Sequence, residues 1–189
     1  LLWSATLCCA TGQAAGLDAK ERRIVQAVAA RQAQSLELLG EAVDIPSATE
    51  NHAGVRRVGD IFARELAALG FETRWVEQGT QVSRAGHLVA VHRGRQGKRL
   101  LLIGHLDTVL PGEPYRRDGN VAYGTGIADM KGGNVILVEA LRALHAVGAL
   151  QDRQVIVVFT GDEEDPGQPT SISRQVLAEA AAAMAGLVQ

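Results

Sequence analysis

The 189-residue chain has only two cysteines, Cys8 and Cys9, side by side near its start. A disulfide framework is thereby excluded, and no scattered thiolates are available for a zinc–sulfur site. No apolar run approaches the ~20 residues that a bilayer-crossing helix needs, so no membrane span is expected. Charge of neither sign dominates: the formal net charge is −2, and the basic residues are scattered along the chain. General attraction to nucleic acid or to an anionic membrane surface is therefore not expected. Neither G-x-G-x-x-G nor a P-loop occurs, which removes the usual signatures of a nucleotide site. There is no internal repeat, and no linker-like break follows residue 17.

What is present suffices for one ordinary domain. Apolar residues make up 47% of the chain, enough to build a core. Residues Leu1 to Ala10 form a short apolar run, followed by the small and polar residues Thr11 to Gly16. This resembles the rear half of a secretory signal peptide. We therefore expect residues 1–16 to be a partial signal peptide and the protein to be periplasmic or secreted, with the cytoplasm as the alternative. If that segment is cleaved, the mature chain contains no cysteine.

Periodicity predicts an α/β order. Ile24, Val25, Val28, Leu36 and Leu39 recur at helical spacing after Asp18, a residue type that caps helix N-termini, and predict one helix from Leu17 to Leu39. A second helix is predicted from Asn51 to Leu69, closed by Gly70. Strands are predicted at Phe71–Glu77, His87–His92 and Leu100–Ile103, with Gly94–Lys98 as a polar turn and Val109–Gly119 as an exposed loop. A helix follows Asp129 and ends near Gly148. Val155–Phe159 reads as a central strand, Thr170–Ser173 leads into an alanine-rich helix, and Leu187–Gln189 reads as the beginning of another strand. The expected class is α/β, with helices packed on a mixed, largely parallel central sheet.

Two of the apolar runs end in chemistry. His105-Leu106-Asp107 leaves the end of a buried strand, and residues two apart in extended chain point the same way. His105 is thus a candidate metal ligand, with Asp107 as the carboxylate that holds its other ring nitrogen. Asp129 sits between Gly124-Thr125-Gly126 and Gly132-Gly133, where glycines let backbone approach closely at the start of a helix. A phosphate cradle is the rival reading of such a loop, but an aspartate inside it would repel phosphate. Asp162-Glu163-Glu164-Asp165 follows the most apolar strand at its C-terminal end, where ligand sites of open α/β sheets collect. Adjacent glutamates can divide the work, one binding metal and the other moving a proton. With oxygen ligands, one imidazole and no thiolate, Zn2+, Co2+ and Mn2+ are all admissible.

Taken together and in order, Gly104-His105-Leu106-Asp107-Thr108-Val109, Gly124 to Gly133 and Thr160-Gly161-Asp162-Glu163-Glu164 resemble the dinuclear zinc family. That family includes glutamate carboxypeptidase, aminoacylase, acetylornithine deacetylase and succinyl-diaminopimelate desuccinylase. The resemblance implies a zinc-exopeptidase-like catalytic domain with two Zn2+ ions per site. It implies that His105 ligates one ion, Asp129 bridges both, Glu164 ligates the other, Glu163 is the general base and Asp107 orients His105. It also implies a cis peptide after Asp129. The implied reaction is hydrolysis of an amide in a small peptide or an N-acyl amino acid by a metal-activated water.

The same resemblance calls for a further carboxylate ligand near the position of Gln189 and a histidine beyond it. Residues 17–189 are accordingly expected to be the N-terminal portion of a truncated catalytic domain with little activity of its own. The remainder and a lid domain, through which a homodimer could form, are then absent. The alternative is a truncated, non-catalytic metal-binding protein of the same fold. His52, His87, His92 and His145 are expected to be surface or structurally satisfied residues.

Overall fold

A computed structural model describes residues 16–78 and 81–185. The expected signal segment, both cysteines and the expected strand at Leu187–Gln189 lie outside the described residues.

The chain begins with α1 (Ala19–Ala30). Asp18 caps it by accepting from the N–H groups of Lys20 and Glu21, and the Glu21 carboxylate returns the contact to the Asp18 N–H. The single helix predicted to Leu39 is in fact two. At Arg31 the backbone leaves helical geometry (φ −109°, ψ 8°), and α2 (Gln32–Val43) starts afresh. Arg31 is pulled aside by Glu139 on a later helix, with Nε donating to a carboxylate oxygen at 2.8 Å. The break lets α2 turn Leu38, Ala42 and Val43 into the core, while α1 buries none of its residues.

Next comes α3 (His52–Ala67), capped by Asn51, whose side chain accepts from the Gly54 N–H. Its buried face is Val55, Val58, Ile61, Phe62 and Leu66, as the periodicity predicts. Gly70, at φ 86°, takes the left-handed turn that ends the segment.

Among the described residues, four strands form the main sheet: β1 (Glu72–Val76), β2 (His87–His92), β3 (Gln96–His105) and β6 (Arg153–Thr160), in the order β1-β2-β6-β3. The sheet is mixed, as expected, but its balance differs from the largely parallel one predicted. Only β3 pairs with β6 in parallel; β1–β2 and β2–β6 are antiparallel. A parallel step needs a long crossover, and α4 (Gly132–Ala146) supplies one between β3 and β6. The turn between β2 and β3 is far too short for that, so those two strands run in opposite directions with β6 inserted between them. Gln96–Lys98, predicted as turn, extends β3 through a register irregularity before Leu100. Part of the predicted loop 109–119 instead forms a small hairpin, β4 (Arg116–Asp118) with β5 (Val121–Tyr123).

Alternation along β6 distributes the core. Val155, Val157 and Phe159 pack in one cluster with α3 and α4, where Phe62 meets Phe159 edge-on at 5.4 Å between ring centroids. Ile156 and Val158 face the other way, onto Val176 and Ala180 of α6 (Gln175–Ala185), which follows the short α5 (Thr170–Ser173). Full burial of each such side chain contributes about 1.5–3 kcal/mol. With helices on both faces, β6 is the central strand, as predicted. No helix among the described residues is long and apolar enough to cross a membrane.

Candidate metal centre

The parallel pairing of β3 with β6 brings two chain ends out together. His105 is the register partner of Thr160, and the Leu106 N–H donates to the Thr160 carbonyl at 2.7 Å. His105-Leu106-Asp107 and Gly161-Asp162-Glu163-Glu164 therefore leave the sheet side by side. Asp129 arrives from the irregular turn Ile127–Lys131 at the head of α4. There Asp129 (φ −131°, ψ 98°) and Met130 (φ −129°, ψ 33°) depart from helical geometry, and the Asp129–Met130 peptide is cis.

These segments bring His105, Asp129 and Glu164 together, each with a ligand atom within 4.8 Å of those of the others. His105 Nε2 lies 3.0 Å from Asp129 Oδ1 and 4.0 Å from Glu163 Oε2. His105 itself is buried, whereas the Asp129 and Glu163 side chains are 75% and 56% exposed. The cluster thus has a closed back and an open front. The front gives onto a hollow of about 790 Å3 whose walls include Val109, Leu110, Arg116, Tyr123, Asp129 and Glu164.

Asp107 is fully buried behind the cluster. The His105 Nδ1–H donates to the Asp107 carbonyl at 3.0 Å, with the Asp107 carboxylate slightly farther away, at 3.5 Å. That carboxylate accepts the Thr49 hydroxyl at 2.7 Å and the backbone N–H groups of Glu163 and Glu164 at 3.1 Å each. Burial would raise its pKa, but the hydrogen bonds from His105, Thr49 and the two backbone groups outweigh burial and hold it below the usual range.

Burial also opposes the charged form of His105. The hydrogen bonds to Asp107 and Asp129, with the Asp107 charge, prevail and lift it to about 9. Glu164 is pushed up by burial and by repulsion from Asp129, Asp107 and Glu163, which His105 only partly offsets. One imidazole and crowded carboxylates converge here, with excess negative charge that holds a proton on His105 and raises Glu164. A divalent cation would relieve that excess, so the donor set fits a metal ion.

Several supporting residues carry no motif. Thr49 reaches Asp107 because Ala48 pairs with Thr108 in a short parallel bridge and the Thr108 N–H donates to the Ser47 carbonyl. Asn134, in the first turn of α4, donates to the His105 carbonyl at 2.6 Å. Lys131 is buried with its Nζ donating to the Ile45 carbonyl at 2.8 Å, and burial lowers it to about 8 against the pull of the Asp44 charge. Only the proximity of Asn134 and Lys131 to Asp129 in the chain could have signalled them.

Asp162, one of the four clustered acids, does not face the hollow. It is fully buried and bonded to Ser173 and Arg174. Among the other histidines, His87 is buried and bonded on both nitrogens, and burial keeps it below its ordinary pKa against the Asp162 charge. His92 bonds to the Arg153 carbonyl. His52 departs from expectation in leaving its Nε2 buried without a hydrogen-bond partner among the described residues.

Comparison with known proteins agrees with this arrangement. Residues 101–188 match the family described as peptidase family M20/M25/M40. Over 164 residues the chain is 35% identical to carboxypeptidase G2 of Pseudomonas sp. (strain RS-16), covering 82% of this chain and 39% of that protein. It is 34% identical over 143 residues to succinyl-diaminopimelate desuccinylase of Leptothrix cholodnii (strain ATCC 51168 / LMG 8142 / SP-6), covering 70% of this chain and 36% of that protein. Human carnosine dipeptidase 1 shares the fold, with a TM-score of 0.71 at 21% identity over 84% of this chain and 37% of that one. The chain therefore spans less than two fifths of the length of these relatives. The matched stretch contains His105, Asp129 and Glu164, and the wider likeness extends through the helices and sheet that carry them, so residues 101–188 are similar to a domain of peptidase family M20/M25/M40.

Proposed function

We propose that residues 17–189 supply much of the metal centre of a zinc-dependent amide hydrolase acting on small peptides or N-acyl amino acids. The observation that carries this reading is the convergence of His105, Asp129 and Glu164 on one point at the mouth of an open hollow. Its relatives include a protein named as a carboxypeptidase and one named as a desuccinylase. Both names describe cleavage beside a carboxylate-bearing group, and we favour the carboxypeptidase side.

In this reading His105, Asp129 and Glu164 would hold Zn2+, with Co2+ or Mn2+ able to substitute. Zinc, when bound there, acidifies water and polarises a carbonyl oxygen. Glu163 takes the proton from the attacking water and delivers it to the amine as the C–N bond breaks. Asp107 holds the far nitrogen of His105, so that Nε2 keeps its direction, and fixes the backbone of both glutamates. The hollow beside Asp129 and Glu164 receives the substrate.

Equilibrium dialysis against Zn2+ tests the ligand assignment, with His105→Ala and Glu164→Ala expected to lose metal. Release of free amino acid from N-acyl amino acids and C-terminal peptides tests the reaction. A wild-type protein that takes up no Zn2+ would overturn the reading, and metal uptake without any hydrolysis by the full-length protein would favour a binding role on the same fold.

A further inference from the structure

Four consecutive acids follow β6, and the fold treats them in two ways. Glu163 and Glu164 turn towards the candidate metal centre, their backbone N–H groups held by the Asp107 carboxylate. The two flanking acids are each tied back to an arginine. Asp165 pairs with Arg84, whose Nε also donates to the Asp165 carbonyl at 2.8 Å. Asp162, with no exposed side-chain surface, pairs with Arg174 at 2.9 Å.

Asp162 does more than neutralise an arginine. One of its carboxylate oxygens accepts the Ser173 hydroxyl at 2.6 Å and the Gly167 N–H at 3.0 Å. Arg174 also reaches the Asp162 carbonyl, at 3.4 Å. The carboxylate therefore joins the start of the loop to its middle and to its return at α5. His87 repeats the same span. Its Nδ1 accepts the Gly161 N–H at 3.2 Å, which leaves the proton on Nε2 to donate to the Ser173 carbonyl at 3.1 Å. The loop also lies hard against the segment before β2. A Cβ on Gly161 would fall 2.3 Å from the Gly86 carbonyl oxygen, and one on Gly167 would fall 2.2 Å from a Val82 methyl.

A buried carboxylate is costly unless every oxygen is bonded, and here each oxygen is bonded to a part of the same loop or its return. We propose that Asp162, with Ser173 and Arg174, is a positioning residue of the centre: it ties the start of the loop to its middle and its return, so that Glu163 and Glu164 keep facing the centre. This rests on the proposed metal-dependent function for its consequence, though not for its geometry.

The test uses Asp162→Asn, which keeps the volume, and Arg174→Gln, a change at a partly exposed partner that the fold should tolerate. Two quantities are read on protein shown to be folded by near-UV circular dichroism. One is Co2+ affinity together with the visible spectrum of the bound ion, which reports ligand geometry. The other is hydrogen exchange at the Glu163 and Glu164 amides without metal. Positioning predicts Co2+ affinity about 10- to 100-fold weaker, as for other groups that orient metal ligands, with an altered spectrum and faster exchange at both amides than in the wild type. A residue serving stability alone would lower the unfolding midpoint and leave the affinity, the spectrum and the exchange of folded protein unchanged, and that result would overturn the proposal. If the wild type takes up no Co2+, the metal reading fails, and the amide exchange alone then decides whether Asp162 holds the loop.

Discussion

Gly104 and Asn134 are in contact across the junction of β3 and α4: a Cβ on residue 104 would lie 2.3 Å from Asn134 Oδ1 and 3.0 Å from the Phe159 ring. Asn134 is fully buried and spends its Nδ2–H on the His105 carbonyl. The strand that delivers His105 and the helix that follows Asp129 are thus joined by one side chain, and glycine is what lets it fit.

Gly104→Ala should therefore push Asn134 off the His105 carbonyl. Overpacking of this kind costs about 1–3 kcal/mol. The expected outcome is a lower urea midpoint and weaker Zn2+ binding than the stability loss alone explains. Asn134→Ala should weaken Zn2+ binding in the same direction without steric conflict. A Gly104→Ala protein with wild-type metal affinity would show that this contact does not reach His105.

Asp107→Asn should damage the centre from its back wall. The amide nitrogen that replaces one oxygen would face a backbone N–H of Glu163 or Glu164 and leave that donor unsatisfied, at a cost of about 1–3 kcal/mol. It would also remove the charge beside His105. Metal affinity should fall about 10- to 100-fold, as for other groups that orient metal-binding histidines. Thr49→Val, which removes a single hydrogen bond to the same charged carboxylate, should cost about 1.5–3 kcal/mol of stability but keeps the charge beside His105 and both glutamate N–H donors satisfied, so it should weaken metal binding less. Calorimetric Zn2+ titration of the two variants separates these expectations.

Much of the centre is legible in the chain because local pattern produces it. An apolar run that ends in His105 or in Glu163-Glu164 signals a strand end, and glycines around Asp129 signal a turn into a helix. Asp18 and Asn51 announce their helices in the same way. What was not legible depends on distant partners. Arg31 breaks a helix for the sake of Glu139, 108 positions away. Thr49 becomes part of the centre only through a bridge to Thr108. Asp162 looks like its acidic neighbours until Ser173 and Arg174 draw it inward. The direction of β2 relative to β6 likewise follows from which strand slips between β2 and β3, a choice that short-range periodicity does not contain.

In the metal-free protein, stability should depend on His105. Burial opposes its charge, but the hydrogen bonds to Asp107 and Asp129 raise it from 6.5 to about 9. The folded state thus holds this proton more tightly than the unfolded chain. Its contribution is fully present below pH 6.5 and is lost as the pH rises through about 9. Urea unfolding should show that decline, and His105→Gln should flatten it. Zn2+ competes for the same nitrogen, so metal uptake near neutral pH should release a proton, visible as a buffer-dependent binding enthalpy. Equal pH slopes in the wild type and His105→Gln would remove His105 as the source.

Glu163 and Glu164 should separate cleanly when each is changed to glutamine. Glu164 offers an oxygen to the cluster with His105 and Asp129 and is only partly exposed. Glu163 lies outside that cluster, with its carboxylate 4.0 Å from His105 Nε2 and its side chain more than half exposed. Glu164→Gln replaces an anionic donor by a neutral one and should weaken metal binding. Glu163→Gln should keep the metal, because the three donors are untouched, and in the full-length protein should lower kcat by about 10²- to 10⁴-fold, the usual contribution of a general base. Substrate affinity should change little, since proton transfer rather than binding is lost. Metal analysis on the same samples used for the rate measurements decides the matter. A Glu163→Gln protein that loses metal would make Glu163 a ligand, and one that retains full activity would require another base on the same side of the hollow.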